Sequence, residues 1–95
     1  MIRHIVPFRL KHAKGSPEEA DFLKALAKLA DIPGVLNLQV MPQISRKNHF
    51  THGVSMEFAS NETYQAYNEH PDHVAFVQGK WVPEVVVFTE IDFVY

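Results

Sequence analysis

The chain has 95 residues, of which 46% are hydrophobic and 21% charged, and its formal net charge is −2. This length and composition predict one globular domain spanning residues 1–95, with one core, and argue against a disordered or membrane-spanning class. The absence of cysteine excludes disulfides, thiolate catalysis and cysteine zinc sites, and the slight negative charge argues against a nucleic-acid partner.

Residues 2–10 alternate in a way that predicts a β-strand. The face expected to be buried carries Ile2, His4, Val6, Phe8 and Leu10. His4 is the only polar group on that face, so it needs a hydrogen-bond partner if it is buried, for example a backbone carbonyl. Pro7 lacks the N–H that a central strand needs, which favours an edge position or a bulge.

A helix is predicted from Pro17 to about Ala30, because Ser16, Pro17 and Glu19 form a strong helix start. Its apolar stripe comprises Phe22, Leu26 and Leu29, with Leu23, Ala27 and Ala30 beside them. We expect this helix to be scaffold and not part of a site.

Two further strands are predicted in the middle of the chain. Residues 35–41 alternate, which places Leu36, Leu38 and Val40 inward. Residues 49–58 alternate as well, and their buried face carries His52, Val54, Met56 and Phe58. His52 therefore repeats the pattern of His4, whereas His49 lies on the opposite face.

Residues 60–76 combine aromatic and imidazole side chains around one proline. Ser60 is predicted to cap a helix that ends near His70, because Pro71 disfavours the α conformation at the residue before it and can itself open a second helix. Tyr67 and His73 would point to different faces of one straight helix, but a bend at Pro71 lets the phenol and the imidazole converge on one cavity. The alternative is a helix corner whose histidines only cap helix ends and contact solvent.

Residues 84–93 form the last predicted strand, whose apolar side chains occupy both faces from Val85 to Phe88. The second face is therefore expected to pack on another copy of the chain related by a twofold axis. The element order predicts an α+β, ferredoxin-like βαββαβ fold with a four-stranded antiparallel sheet. Two such sheets packed on each other would form a dimeric α/β barrel.

Four segments, taken in this order, resemble one known family. They are residues 4–10, residues 32–35, residues 51–58 and the motif Tyr67-x-x-His-Pro-x-His-Val-x-Phe76. Together they resemble the stress-responsive α/β-barrel domain of the dimeric α/β-barrel superfamily over essentially the whole chain. The resemblance implies a homodimer or a larger assembly of dimers, and it leaves the activity open because many members are known only as stress-induced proteins.

The same resemblance implies a site. A plant cyclase of this family closes a polyketide thioester by aldol condensation without a metal or an organic cofactor, and its pattern places the catalytic residues on His4, Tyr67 and His73. Asp72 and Pro7 depart from that pattern. The residues expected to contact a ligand beside the catalytic ones are Val6, Phe8, His52, Tyr64, His70 and Phe76.

Three functions are compatible with these residues. The first is a cofactor-independent acid/base enzyme acting on a small, partly apolar carbonyl compound. In it His73 abstracts a proton, Tyr67 donates a hydrogen bond to the enolate and His4 orients either group. The second is a non-enzymatic protein that binds a small ligand or acts structurally under stress.

The third function is a metal site on His70 and His73, which Pro71 disfavours because it interrupts the helix between them and no third ligand is placed nearby. We therefore expect neither a metal nor an organic cofactor. We also expect no membrane partner and a cytoplasmic location, because the chain shows no long apolar run and no signal-peptide pattern.

Overall fold

The protein is an antiparallel sheet with its helices on one face, and the structure, a computed structural model, describes residues 1–95. The strands are β1 (Ile2–Leu10), β2 (Leu36–Pro42), β3 (His52–Phe58), β4 (Val85–Phe88) and β5 (Ile91–Val94). The helices are α1 (Pro17–Ala27), α2 (Asn61–Glu69), α3 (Pro71–Phe76) and α4 (Val82–Glu84), with a 3-10 turn at Lys28–Asp31 and a π-helical turn at Val77–Trp81. The strand order is β2-β3-β1-β4, and β5 also pairs with β1, which confirms the ferredoxin-like prediction.

Helix α1 begins where it is predicted to begin, because the Ser16 side chain accepts a hydrogen bond from the Glu19 amide. Its α-helical part ends at Ala27, and the last predicted turn is a 3-10 helix. The central residues of its apolar stripe are buried as predicted, namely Phe22, Leu26 and Leu29. Ala27 and Ala30, which were expected beside that stripe, are exposed.

Strand β1 is central in the sheet, because β3 pairs with one side of it and β4 and β5 pair with the other. The Pro7 carbonyl accepts a hydrogen bond from the Thr89 amide at 3.1 Å. In an antiparallel strand, the N–H and C=O of one residue point to the same neighbouring strand. The N–H that Pro7 lacks would therefore also point toward Thr89, on the β4–β5 side of β1. Pairing stops there at residues 89–90, which divides the predicted last strand into β4 and β5.

Strand β2 departs from the predicted alternation at its start. Leu36, predicted to point inward, is 41% exposed. Asn37 has a φ of 49°, in the left-handed region, and the pairing register shifts between Leu36 and Gln39. A bulge adds one residue and reverses which face the preceding side chain occupies, so Leu36 turns outward while Leu38 and Val40 stay half-buried.

The core lies between the helices and one face of the sheet. Its buried apolar residues are Ile2, Val6, Phe8, Leu10, Phe22, Leu26, Leu29, Ile32, Val54, Met56, Phe58, Tyr67 and Phe76. His4 and His52 are the two buried polar residues, and both lie on this face as predicted. The opposite face, which we call the open face, carries the odd-numbered side chains of β1. None of the helices has the length and apolarity needed to cross a membrane.

Candidate active site

The corner between α2 and α3 forms as predicted from Pro71. Helix α2 ends at Glu69, its C-cap His70 has an extended backbone, and Pro71 occupies the first position of α3. The His70 Nδ1 accepts a hydrogen bond from the Asp72 amide at 3.1 Å. His70 is therefore the N-cap of α3 and fills the capping role proposed for the histidines in the alternative prediction.

The corner brings Tyr67 and His73 into contact. Their ring centroids lie 4.4 Å apart, and Tyr67 is only 2% exposed. The two residues are six positions apart, and on one straight helix they would face different directions. The break at Pro71 thus allows the contact, as the sequence predicts.

Both rings line a cavity of about 240 Å³ between the sheet and the helices. The lining consists of His4, Val6, Leu29, Tyr67, His73, Phe76, Val77, Trp81, Phe88 and Glu90. Seven of these ten residues are hydrophobic, so the two imidazoles and the carboxylate are polar groups in an otherwise apolar space. Such a space, apolar with a few convergent polar groups, is typical of a small-molecule site.

The environment of His73 fixes its tautomer and favours its neutral form. Its Nδ1 lies 3.1 Å from the Asn68 carbonyl oxygen, which can only accept, so Nδ1 carries the proton. Burial lowers the pKa of His73, although the Asn68 carbonyl opposes that shift. A neutral ring protonated on Nδ1 keeps a lone pair on Nε2, so His73 can act as a base toward a ligand.

Tyr67 has the opposite character. Burial raises the pKa of its phenol well above the ordinary value, and the negative charge of Glu90 adds to that shift. The phenol therefore stays protonated and can donate a hydrogen bond. The Tyr67 hydroxyl has no hydrogen-bond partner within the protein. Every fully buried polar side-chain atom does have one, so the hydroxyl is not fully buried. Because Tyr67 lines the cavity, this donor is open to it.

His4 is held from behind by two residues that come from distant parts of the chain. Asp92 lies opposite His4 in the β1–β5 register, and its Oδ1 is 2.6 Å from the His4 Nδ1. The Tyr64 hydroxyl lies 2.9 Å from the same nitrogen and donates to the Asp92 Oδ2 at 3.0 Å. A carboxylate accepts, so the His4 Nδ1 carries a proton, and Nε2 is the nitrogen left to meet a ligand.

The sequence interpretation missed Asp92 and Glu90. Both belong to the stretch expected to be one apolar strand, and they share a face because they are two residues apart. The one available signal for Asp92 was that His4, if buried, needs a hydrogen-bond partner. Which residue supplies that partner follows only from the β1–β5 register, which places Asp92 opposite His4. Glu90 Oε1 lies 3.9 Å from the His4 Nε2, so the two acids approach opposite sides of one imidazole.

The predicted ligand-contacting residues fall into three groups. Val6 and Phe76 line the cavity. Tyr64 contacts His4 from behind and does not line the cavity itself. Phe8 and His52 lie elsewhere in the core, where their rings stack at 5.6 Å, and His70 is the cap described above.

The two departures from the family pattern also lie outside the cavity. The Asp72 side chain is 80% exposed beside His70. Pro7 belongs to the open face, opposite the helices. Neither residue therefore changes the charge of the cavity lining. No group of three or more His, Asp or Glu side chains is arranged to hold a metal ion.

The comparisons with known proteins agree on one family. The family model described as the stress responsive A/B barrel domain matches residues 2–95. The chain is 33% identical over 85 residues to a stress-response A/B barrel domain-containing protein of Arabidopsis thaliana, and the match covers 87% of this chain and 32% of that protein. The chain thus spans about a third of the length of this plant relative. It is 29% identical over 79 residues to the olivetolic acid cyclase of Cannabis sativa, covering 79% of this chain and 78% of the cyclase.

Solved structures give the same fold. A Dabb family protein with a ferredoxin-like fold from Mesorhizobium loti matches with a TM-score of 0.97 and 53% identity, covering 99% of this chain and 95% of that one. A dimeric ferredoxin-like protein of Thermobifida fusca matches with a TM-score of 0.80 and 26% identity, covering 99% and 90%. The hydroxynitrile lyase of Passiflora edulis matches with a TM-score of 0.86 over 99% and 92%, and at 18% identity this shows the fold alone.

Proposed function

The chain belongs to the stress-responsive A/B barrel domain family, and we propose that it is a cofactor-independent acid/base enzyme acting on a small, partly apolar carbonyl compound. The reaction class is cyclase- or lyase-like, in which a carbon–carbon bond next to a carbonyl forms or breaks. The observation that carries this proposal is the contact of Tyr67 with His73 in an apolar cavity that His4 also lines.

The proposed mechanism divides the proton chemistry between two groups. His73 Nε2 removes a proton α to the carbonyl, and the Tyr67 hydroxyl donates a hydrogen bond to the oxygen on which the enolate charge develops. The opposite pKa shifts of the two groups support these roles, because burial keeps one neutral and able to accept while it keeps the other protonated. A positioned general base contributes roughly 10²–10⁴ in rate.

His4 is the proposed second proton carrier. Its Nδ1–H is bound by Asp92, which fixes the tautomer and leaves the lone pair of Nε2 available to accept a proton. His4 can therefore hold the proton that a cyclising or cleaving substrate releases, or donate it to a leaving oxygen. Tyr64 keeps the Asp92 carboxylate in place and so acts as a positioning residue.

The relatives support the reaction class and not a particular substrate. One sequence relative is named as a cyclase and carries this support, whereas the structural neighbour named as a lyase shares the fold alone at 18% identity. Both names fit a cavity in which a proton is moved beside a carbonyl carbon. The specific substrate of this chain follows from neither name.

Exchange of α-protons for deuterium tests the proposal without knowledge of the natural substrate. The protein is incubated in D₂O with a panel of small aldehydes and ketones, among them acetophenone and phenylacetaldehyde, and exchange is followed by NMR. We expect His73→Ala to lower catalysed exchange by roughly 10²–10⁴ and Tyr67→Phe to lower it as well. His49→Ala, which removes an exposed imidazole outside the cavity, is the matched control. Exchange by the parent that both cavity variants retain would contradict the proposal.

A second candidate function is non-enzymatic binding of a small apolar ligand, or a structural role under stress. The predominantly apolar lining of the cavity favours it, because burial of a ligand there needs no acid/base step. The same experiment separates the two functions. A protein that binds these carbonyl compounds without accelerating α-proton exchange is a binding protein.

The proposed assembly is a homodimer through the open face, from which larger assemblies of dimers can form. Phe93 and Ile91 lie on that face opposite Arg3 and Ile5 and are 54% and 38% exposed. Exposed apolar side chains on one sheet face are typical of an interaction surface, and the related Thermobifida fusca protein is dimeric.

Light scattering of the parent should give twice the monomer mass if this assembly is right. We expect Phe93→Glu to give monomers, because it buries a charge between the two sheets. Ile44→Glu, at a 90% exposed loop position, should leave the mass unchanged. A parent that stays monomeric at high concentration rules out the assembly.

A further inference from the structure

The cavity has an uneven charge distribution. Among its ten lining residues there is no lysine and no arginine, and Glu90 is the only carboxylate. The Glu90 side chain is 60% exposed, yet its Oε1 lies 3.9 Å from the His4 Nε2. Glu90 thus stands where the cavity meets solvent, beside the ring nitrogen left to meet a ligand.

We propose that Glu90 selects the substrate by charge, so that the cavity accepts an uncharged or amine-bearing carbonyl compound and rejects carboxylates. This inference rests on the proposed function, because it names the substrate class of the same cavity. It adds a specificity-determining residue that neither the family match nor the relatives assign.

The neighbouring groups give an anion nothing to pair with. Asp92 already binds the His4 Nδ1, so His4 meets one carboxylate on each side and has no unpaired positive charge to offer. His73 is half-buried beside the Tyr67 ring, and this burial favours its neutral form. An anionic ligand would therefore approach two carboxylates with no lysine or arginine in the cavity lining to offset them, and the like charges repel, although solvent weakens this repulsion because both carboxylates are partly exposed.

The backbone explains why a carboxylate stands at this point. Glu90 lies in the break between β4 and β5, where Pro7 offers no N–H for pairing. Glu90 lies two residues from both Phe88 and Asp92, so its side chain is on the same face of the sheet as theirs. Phe88 and Asp92 pair with Phe8 and His4, which lie on the helix-covered face. The side chain is consequently directed to the cavity side of the sheet and not to the open face.

The volume limits the apolar part of the substrate. A cavity of about 150 Å³ holds benzene, so the observed 240 Å³ suits a ring or a branched chain that bears one small functional group. Trp81 and Phe88 meet edge to face at 5.4 Å along one wall, which favours an aromatic or branched body over a long flexible chain.

Three size-matched probes test the selection, namely acetophenone, benzoate and benzylamine, which are neutral, anionic and cationic at neutral pH. Trp81 is the only tryptophan, so the ¹H–¹⁵N signal of its indole reports binding in the cavity. With the parent we expect benzoate to bind roughly tenfold more weakly than acetophenone, and benzylamine at least as well as acetophenone. With Glu90→Gln the benzoate deficit should shrink to roughly threefold or less, while acetophenone binding stays the same.

Two controls sharpen the test. Glu18→Gln makes the same change in net charge at an exposed position of α1 and should leave the ratio of benzoate to acetophenone binding unchanged. Raising the salt concentration toward about 1 M shortens the Debye length to about 3 Å, so it should weaken the discrimination in the parent and have little effect on Glu90→Gln.

The proposal is overturned if benzoate binds the parent as tightly as acetophenone, if Glu90→Gln leaves the ratio unchanged, or if no probe shifts the indole signal. These outcomes concern binding alone. Selective binding without α-proton exchange would leave the charge selection intact and reject the enzymatic proposal, so the two failures can be told apart.

Discussion

Two buried histidines on one face of the sheet have similar sequence settings and different surroundings. His4 and His52 each alternate with apolar residues in a strand, and each lies beside a carboxylate, Asp92 for His4 and Glu19 for His52. In His52 both ring nitrogens have a close polar neighbour, the Thr51 hydroxyl 2.7 Å from Nδ1 and the Glu19 Oε2 3.3 Å from Nε2. In His4 only Nδ1 is within hydrogen-bond distance of a partner, and Nε2 is left for the cavity.

The packing around the two rings also differs, because the His52 ring is packed against the core and the His4 ring borders the cavity. His52 stacks on Phe8 with an interplanar angle of 17° and a centroid distance of 5.6 Å, and Phe8 is fully buried. His4 meets Tyr64 at a tilt, and its other side borders open space. A buried histidine is thus suited to chemistry when one ring nitrogen remains uncommitted beside a cavity, and burial alone does not decide this.

The largest expected difference between the two histidines is in catalysis. Under the proposed mechanism His4→Ala should lower α-proton exchange by roughly 10²–10⁴, because it removes the proposed second proton carrier from the cavity. His52→Ala should leave exchange per folded molecule nearly unchanged. Equal losses in the two variants, measured by NMR on samples with matched folded fractions, would remove the basis of the comparison.

The next largest expected effect is on stability, where the loss is expected to be greater for His52→Ala than for His4→Ala. His52→Ala should lower the free energy of unfolding by about 2–3 kcal/mol, since it leaves a cavity beside Phe8 and removes the imidazole next to the Glu19 Oε2. His4→Ala should destabilise less, because one side of its ring already borders open space and Asp92 is partly exposed. Urea unfolding of both variants measures the difference, and a greater loss for His4→Ala would contradict it.

A smaller effect is expected from the carboxylate partners. Asp92→Asn should lower exchange by roughly tenfold, because a hydrogen bond to a charged group contributes about 1.5–3 kcal/mol and part of that survives with the amide. Glu19→Gln is the matched change beside His52 and should leave exchange unaltered. The ¹⁵N shifts of the His4 ring provide a second measurement, because loss of Asp92 should mix the two tautomers whereas a purely structural role would leave them fixed.

The smallest effect concerns pH. Burial lowers the pKa of His73 below the ordinary value of about 6.5, and a general base must be unprotonated to work. Activity should therefore be complete at pH 7 and fall only as the pH drops through that lowered value. The same depressed pKa stabilises the fold above about pH 6.5, and this contribution is lost as the pH falls. An acid limb of kcat/KM centred above pH 7 would contradict the assignment of His73 as the base.

Local signals in the sequence predicted the elements that depend on neighbouring residues. Ser16 and Ser60 cap their helices, and Pro71 sets the corner that brings Tyr67 to His73. Each of these features depends on residues close together in the chain, and capping and proline sterics act over a few positions.

Features that depend on strand register could not be predicted in this way. The contact of Asp92 with His4 joins residues 88 positions apart, and the outward turn of Leu36 follows from a bulge that changes the register with β3. The cavity itself arises from lining residues on several elements, including Leu29, Val77 and Trp81, that no single motif contains. These features emerge only when packing decides which strand residues face each other.

The break opposite Pro7 has a consequence for how this protein can diversify. Residues 89–90 interrupt a sheet and yet belong to no strand, so changes there disturb little of the ladder that holds the core. One of these residues is Glu90, which borders the cavity. A proline in the central strand thus leaves a position beside the cavity that the strand ladder does not constrain, where, under the proposed function, a single codon change alters the charge at the cavity while the scaffold stays the same.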